Sequence, residues 1–380
     1  MKRVAIEKMH CPLCGFSLRT LVVVDGDPEI IKNGILECRC RRYPVVEGIL
    51  VLHADNPAGL QRALREMAVG HQTVALRALL DEGALSARII NAAVSRKLVF
   101  SRTLQTMRDM VCARRIDRIM RAPCFAEAIN ACVRGGYGDY FKTRLSSASF
   151  IAGIALLELM RDFSGPILEF GAGVGTHAFV MGLLFPERPL TLTDHSFTNL
   201  YLAKRFIAPH AEYVCLDGNY PLPFEDGAFQ GVFSSDSFHY IDAKVSAVGE
   251  IKRVLRKDHI AVFSHLHNRF GDDVAQGMSL SGGEWKRVLS FSHTRLISEK
   301  VVFERFYNEN ALDVTVDHSE SGEATNAFCL VASDNQEVFR SYGNIGDPYF
   351  SLKGRLGIHA AFIQARTGTG ESCYRKQWPS

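Results

Sequence analysis

The stretch Ile167-Leu168-Glu169-Phe170-Gly171-Ala172-Gly173-Val174-Gly175 limits what this chain can become more than any other. It reads as a short buried strand feeding a glycine-rich turn and then a helix. Glycines at alternate positions let the backbone pass close to a ligand where a Cβ would collide. Alone, such a turn suits several nucleotide ligands or only a tight bend. The segments that follow narrow the choice. Leu190-Thr191-Leu192-Thr193-Asp194 is a second strand ending in an acid 25 residues after Glu169, where a ribose diol would be read. Tyr213-Val214-Cys215-Leu216 is a third, ending in Asp217-Gly218, where an adenine edge could be held. A fourth ends at Ser234-Ser235-Asp236 and a fifth is Ile260-Ala261-Val262-Phe263-Ser264.

In this order, with LPFEDGAFQGVFSSDSFHYI (222–241) and EIKRVLRKDHIAVFS (250–264), residues 150–335 resemble the class I S-adenosylmethionine-dependent methyltransferases, type 11. Two departures stand out: Gln230 where the family has Asp, and Lys257-Asp258-His259 in place of a Pro-Gly-Gly turn. The resemblance implies an α/β fold with a Rossmann-like sheet and S-adenosylmethionine as cofactor. It implies that Glu169, Gly171, Gly173 and Gly175 hold the methionine end and Asp194 the ribose hydroxyls. Asp217 with Gly218 would hold the adenine, and Ser234 lies on the same rim.

Methyl transfer is an in-line displacement at a sulfonium carbon, so the protein chiefly aligns the acceptor and excludes water. Where the acceptor is a hydroxyl, amine or acidic carbon, a general base helps. Strand ends on the rim offer Asp236, His239, His265 and His267. Histidines at the His239 position are also often helix-start residues, and Asp236, His265 and His267 also have the makings of a divalent-metal site. Tyr140 and Arg144 precede the first strand of the sheet and are candidates for a lid.

Residues 1–54 carry a second pattern. Cys11-Pro12-Leu13-Cys14-Gly15 is a knuckle able to grip a tetrahedral zinc, and Cys38-Arg39-Cys40 follows the turn-like Lys32-Asn33-Gly34. Four thiolates would close the site, which makes the zinc structural. With Arg42-Tyr43-Pro44-Val45-Val46-Glu47-Gly48-Ile49-Leu50-Val51-Leu52, this segment resembles small zinc-ribbon proteins, some of them methyltransferase activators and others fused to bacterial methyltransferases. It departs from them in C-x-C for the usual C-x-x-C; His10 is a candidate substitute for Cys40, although a histidine beside a knuckle is more often a bystander.

The remaining chain is divided as a helical region at 55–150, with Pro57 in a first turn and breaks at Pro123 and Gly135-Gly136, and an extension at 336–380 without clear periodicity. A helix around Gly283–Leu296 and strands at Val301–Tyr307 and Ala327–Ala332 complete the sheet. At 380 residues with 47% apolar and 22% charged content, the chain is a globular protein of two or three domains. A net charge of +3 does not mark a nucleic-acid binder. No apolar run nears the ~18 residues of a membrane span, and no signal-peptide core follows the N-terminus. Ten cysteines, mostly scattered, fit free thiols and one metal cluster in the cytoplasm.

The expectation is therefore a cytoplasmic methyltransferase acting on a small-molecule acceptor. An RNA methyltransferase is the rival, with phosphate contacts from Arg114, Arg118 and Arg121 and from Arg39, Arg41 and Arg42. A non-catalytic adaptor, and a cyclase or isomerase that borrows the sulfonium's charge, remain open.

Overall fold

The computed structural model describes residues 1–55, 57–82, 102–132, 144–145, 147–271, 279–319 and 325–346, leaving aside the side chains of 102–109. Tyr140, Gly135, Gly136 and the chain beyond 346 lie outside these. In chain order the strands are β1 (Arg19–Gly26), β2 (Ile31–Glu37), β3 (Arg42–Val46), β4 (Ile49–Val51), β5 (Ile167–Phe170), β6 (Leu190–Asp194) and β7 (Glu212–Cys215). They continue with β8 (Phe229–Ser235), β9 (Leu255–His267), β10 (His293–Ser298), β11 (Ala311–Asp313), β12 (Ala327–Ser333) and β13 (Ser341–Gly343).

The chain separates into two compact units, of which the first takes Met1–Phe141, Gly173–Gly175 and Thr191–Glu225. Here β1 to β4 form an antiparallel meander. β4 then runs parallel to β7, and β7 parallel to β6. Ile49-Leu50-Val51 and Tyr213-Val214-Cys215 are buried at every position, as parallel strands covered on both faces must be. The cysteine-bearing segment therefore extends this half-sheet by its own last strand. Lys32-Asn33-Gly34 is not the expected turn but the middle of β2. Gly34 serves close approach instead, since a Cβ there would sit 2.5 Å from the Val22 carbonyl oxygen on β1. Helices Ala58–Ala68, Gln72–Glu82, Arg102–Arg121 and Phe125–Cys132 make up the helical region, with Pro123 in the break between the last two.

The second unit takes Lys142–Ala172, Thr176–Leu190 and Asp226–Ser380. β5, β8 and β9 run parallel, β12 adds antiparallel to β9, and β10 adds antiparallel to β12. Helix Ala148–Leu157 is buried from Ser149 through Leu157, so its all-apolar surface is core on every side. Val301–Tyr307 is helical rather than a strand, within Glu299–Glu309. Val302 and Phe306 are four apart and bury one helix face, and that packing overrides the strand preference of the Val and Phe residues. The helix expected to reach Leu296 stops at Val288, and Leu296 lies in β10.

The two departures in the methyltransferase pattern act together. Gln230 Oε1 accepts from the Ser164 and Gly165 amides at 3.2 and 2.6 Å, while its Nε2 donates to the Asp258 carbonyl at 3.1 Å. Asp258 takes φ 57°, the left-handed conformation that Asp tolerates in place of glycine. Taken together, the units are a mixed α/β structure of the Rossmann-like class. Among the described residues no helix is long and apolar enough to cross a membrane.

Candidate functional site

In the second unit the rim begins where β8 ends. Asp236 follows Ser235 with φ 53°, and its amide donates to the Ser264 carbonyl on β9 at 3.1 Å. β9 carries a bulge at this level: Ser264 and His265 together face Cys329, between the pairs Phe263–Leu330 and Leu266–Phe328. His265 takes φ 56° in the bulge. Bulges of this kind re-aim side chains, and left-handed non-glycine residues persist only where their surroundings hold them.

The result is a convergence on one carboxylate oxygen. Asp236 Oδ1 lies 3.5 Å from His267 Nε2, 3.8 Å from His265 Nε2 and 3.9 Å from His239 Nε2. The other oxygen, Oδ2, accepts from Arg144, which also reaches Ser235 Oγ at 3.5 Å. Glu299 Oε2 is 2.8 Å from His265 Nδ1, which assigns the proton to Nδ1 and leaves the Nε2 lone pair facing Asp236. Burial opposes charge on His265, yet the Glu299 and Asp236 carboxylates outweigh it and hold the imidazole above its ordinary value. His239 is completely buried, and burial pushes it down to about 3. Neither of its ring nitrogens has a hydrogen-bond partner among the described residues.

Supports behind the rim are buried too. Trp285 Nε1 donates to the His267 carbonyl at 2.9 Å, and Lys244 Nζ donates to the His239 carbonyl at 3.0 Å. Trp285 belongs to helix Gly282–Val288, whose start is closed by a capping box between Ser281 and Glu284. All four sequence candidates for acceptor chemistry thus meet, joined by Arg144. Glu299 escaped the sequence reading because a lone Glu at a helix start carries no motif.

The expected cofactor residues fall in both units. In the second, Glu169 is buried in β5, and Gly171 turns at φ 71°. A Cβ on Gly171 would lie 2.4 Å from Ser237 Oγ, so only glycine fits beside that serine. Ser237 Oγ donates to the Phe170 carbonyl at 3.1 Å and pairs with Ser234 Oγ at 2.8 Å. In the first unit, Gly173 and Gly175 also have positive φ, and the Gly173 amide donates to Asp194 Oδ2 at 2.8 Å. Asp194 Oδ1 accepts from the Ser196 amide at 2.8 Å. Burial raises the Asp194 carboxyl above its usual range, against these amide bonds. Asp217 Oδ1 accepts from the backbone and side-chain nitrogens of Asn219, at 2.9 and 2.8 Å, with Gly218 between them.

The first unit also gathers Cys11, Cys14, Cys38 and Cys40, whose sulfurs all lie within 4.8 Å of one another. Measured edges are 3.6 Å for Cys11–Cys40, 3.8 Å for Cys14–Cys38 and 3.4 Å for Cys38–Cys40. Thiolates about 2.3 Å from a tetrahedral zinc stand roughly 3.8 Å apart, so the donor set fits that ion, with the C-x-C edge the shortest. The knuckle is formed by Gly15 N–H donating to the Cys11 carbonyl at 2.9 Å. Tyr43 Oη lies 3.0 Å from Cys11 Sγ. Burial would raise the Cys11 thiol, but hydrogen bonds led by Tyr43 bring it down to about 7. His10 stands outside the cluster.

Two of the six arginines considered for phosphate contacts are engaged elsewhere. Arg41 donates to the His53 and Ala54 carbonyls at 3.3 and 2.6 Å, and Arg39 stacks 4.0 Å over Phe16. The carbonyls of Ile119, Met120 and Ala122, at the end of helix Arg102–Arg121, are taken by Arg205.

Residues 168–263 match the family model described as a methyltransferase domain. No curated protein matches the chain. Similar solved structures include a Thermotoga maritima S-adenosylmethionine-dependent methyltransferase described as a possible histamine N-methyltransferase. It is 14% identical over 55% of this chain and 96% of its own, with a TM-score of 0.35. A Haemonchus contortus phosphoethanolamine N-methyltransferase 2 in complex with S-adenosylmethionine is 17% identical over 46% of this chain and 48% of its own, with a TM-score of 0.33. At these scores no functional step rests on the likeness.

Proposed function

We propose that this S-adenosylmethionine-dependent methyltransferase, so assigned by its domain at residues 168–263, methylates a small molecule whose acceptor atom must lose a proton. The observation that carries the reading is the convergence of three imidazoles on Asp236 Oδ1, with Arg144 on Oδ2. A thioether or other protonless acceptor would need none of these groups. A hydroxyl, amine or acidic carbon gains from a base or a charge that stabilises its deprotonated form.

The size of the acceptor is argued from recess. The side chains of Arg144, Asp236, His265 and His267 are only 7% to 18% exposed, so a substrate has to enter rather than lie across them. The engaged Arg39 and Arg41 weaken the RNA alternative. S-adenosylmethionine would be held by Glu169, Gly171, Gly173 and Gly175 at its methionine end. Asp194 would take the ribose and Asp217 with Gly218 the adenine. Once bound, the cofactor supplies an electrophilic methyl group, and the chain's own residues orient the acceptor and remove its proton. Cys11, Cys14, Cys38 and Cys40 would hold one structural zinc.

The test is release of S-adenosylhomocysteine by the full chain, given a panel of small hydroxyl and amine compounds or bulk RNA, at low and high salt. Salt-insensitive turnover of a small compound is the expected outcome. Turnover only with RNA, falling steeply with salt, would replace this reading with the RNA one.

A further inference from the structure

We infer that Asp236 Oδ1, His265 Nε2 and His267 Nε2 form the ligand face of a divalent transition-metal site in the second unit, with His239 Nε2 beside it. The three ligand atoms lie within 4.8 Å of one another. Separations of 3.5 and 3.8 Å from Oδ1 to the two imidazole nitrogens are longer than an N–H···O bond prefers. Two atoms each about 2.1 Å from one cation stand roughly 3.0 to 3.4 Å apart, so a few tenths of an ångström of closure would bring these two edges to ligand spacing.

Three further features point the same way. His239 is completely buried, has no hydrogen-bond partner for either ring nitrogen among the described residues, and stands 3.9 Å from the same Oδ1. A buried polar group left in that state asks for a ligand. Glu299, 2.8 Å from His265 Nδ1, is the carboxylate that orients metal-bound histidines and raises their basicity. Arg144 engages Oδ2, which turns Oδ1 toward the imidazoles, and the carboxylates of Asp236 and Glu299 outnumber that one guanidinium.

Two imidazoles and one carboxylate suit zinc, cobalt, nickel or iron better than magnesium or calcium. Three protein ligands leave open positions, as in catalytic rather than structural sites. In the methyl transfer proposed above, an acceptor hydroxyl would occupy an open position and be acidified there, giving its proton to solvent water as its O–CH3 bond forms and the sulfonium S–CH3 bond breaks, with the imidazoles serving as ligands instead of as free bases. That last step rests on the methyltransferase reading, whereas the cation site does not.

The experiment uses the full chain carrying one zinc per chain, held by its cysteine cluster, with no excess zinc, then titrated with cobalt(II) and followed by visible absorption and metal analysis. One further cobalt per chain is expected, with ligand-field bands and no thiolate charge transfer. Affinity should fall at least tenfold in Asp236→Asn and in His267→Ala. Asn is chosen at 236 because it tolerates the φ of 53° there, so the backbone is kept. Absence of the extra cobalt, or undiminished binding in Asp236→Asn, would overturn the inference. S-adenosylhomocysteine is titrated on the same samples. Its binding without the extra cobalt sinks the metal site and leaves the methyltransferase reading standing. Cobalt binding without it upholds the site and removes the reading.

Discussion

Cys11 and Cys14 lie on one turn, Cys38 and Cys40 on another, and the sulfurs come within 3.4 to 3.8 Å along the measured edges. Asp236, His265, His267 and Glu299 come instead from the end of β8, a bulge in β9 and the start of helix Glu299–Glu309. The first group is four like donors on two local turns, a set that would close around an ion and leave no position open. The second is a mixed set of donors drawn from three elements, with a carboxylate behind one imidazole. Within each turn the cysteine pair is set by local spacing, whereas Asp236, the two histidines and Glu299 are brought together from three separate elements.

The largest effect should separate the two. Cys14→Ser with Cys38→Ser removes half the donor set of a metal that contributes on the order of 10 kcal/mol to small zinc domains. Loss of one zinc, loss of the near-ultraviolet dichroism of buried Tyr43, and rapid proteolysis between β1 and β3 are expected. S-adenosylhomocysteine affinity should change less than the roughly tenfold that 1.4 kcal/mol represents. Equal loss of cofactor binding would show that β4, paired to β7, makes ribbon and half-sheet one cooperative body.

A smaller effect is expected at Glu299, which acts through His265. Glu299→Gln should lower turnover by about 10- to 100-fold, the usual cost of removing the carboxylate behind a working histidine. KM for the cofactor and thermal stability should stay nearly constant, and Glu299→Asp should recover part of the rate. A loss of stability equal to the loss of rate would make Glu299 a packing residue, and the contrast between the regions would narrow.

The smallest effect tests how far the rim depends on its supports. Ser281→Ala removes the capping box of the helix that carries Trp285 and should cost about 1 kcal/mol in denaturant unfolding. Because Trp285 holds the His267 carbonyl, a fall in turnover beyond a few-fold would show that this support tunes the rim. The ribbon's zinc content should not change.

Much of this was legible in the chain. The glycine turn, the acids after β6 and β7 and the two knuckles are short-range patterns whose spacing carries their meaning. Where sequence reading went astray, a partner far along the chain decided. Asn33-Gly34 resembles a turn, yet β2 runs through it because Gly34 must pass the Val22 carbonyl. Val301–Tyr307 has strand-like composition, yet its apolar residues Val302 and Phe306 pack one face of a helix.

By itself, then, the sequence determined the class of fold, the cofactor family and the two cysteine pairs, each from short patterns, while the pairs themselves meet across 24 and 29 residues through β1 and β2. The sequence put Asp236, His239, His265 and His267 on one rim, but tertiary structure alone decided that the three imidazoles converge on one carboxylate oxygen and that Arg144 and Glu299 bracket them. The physical reason is the β9 bulge and two left-handed residues, Asp236 and His265. Their backbone conformations are unfavourable in isolation and exist only because the packed strands around them hold them there.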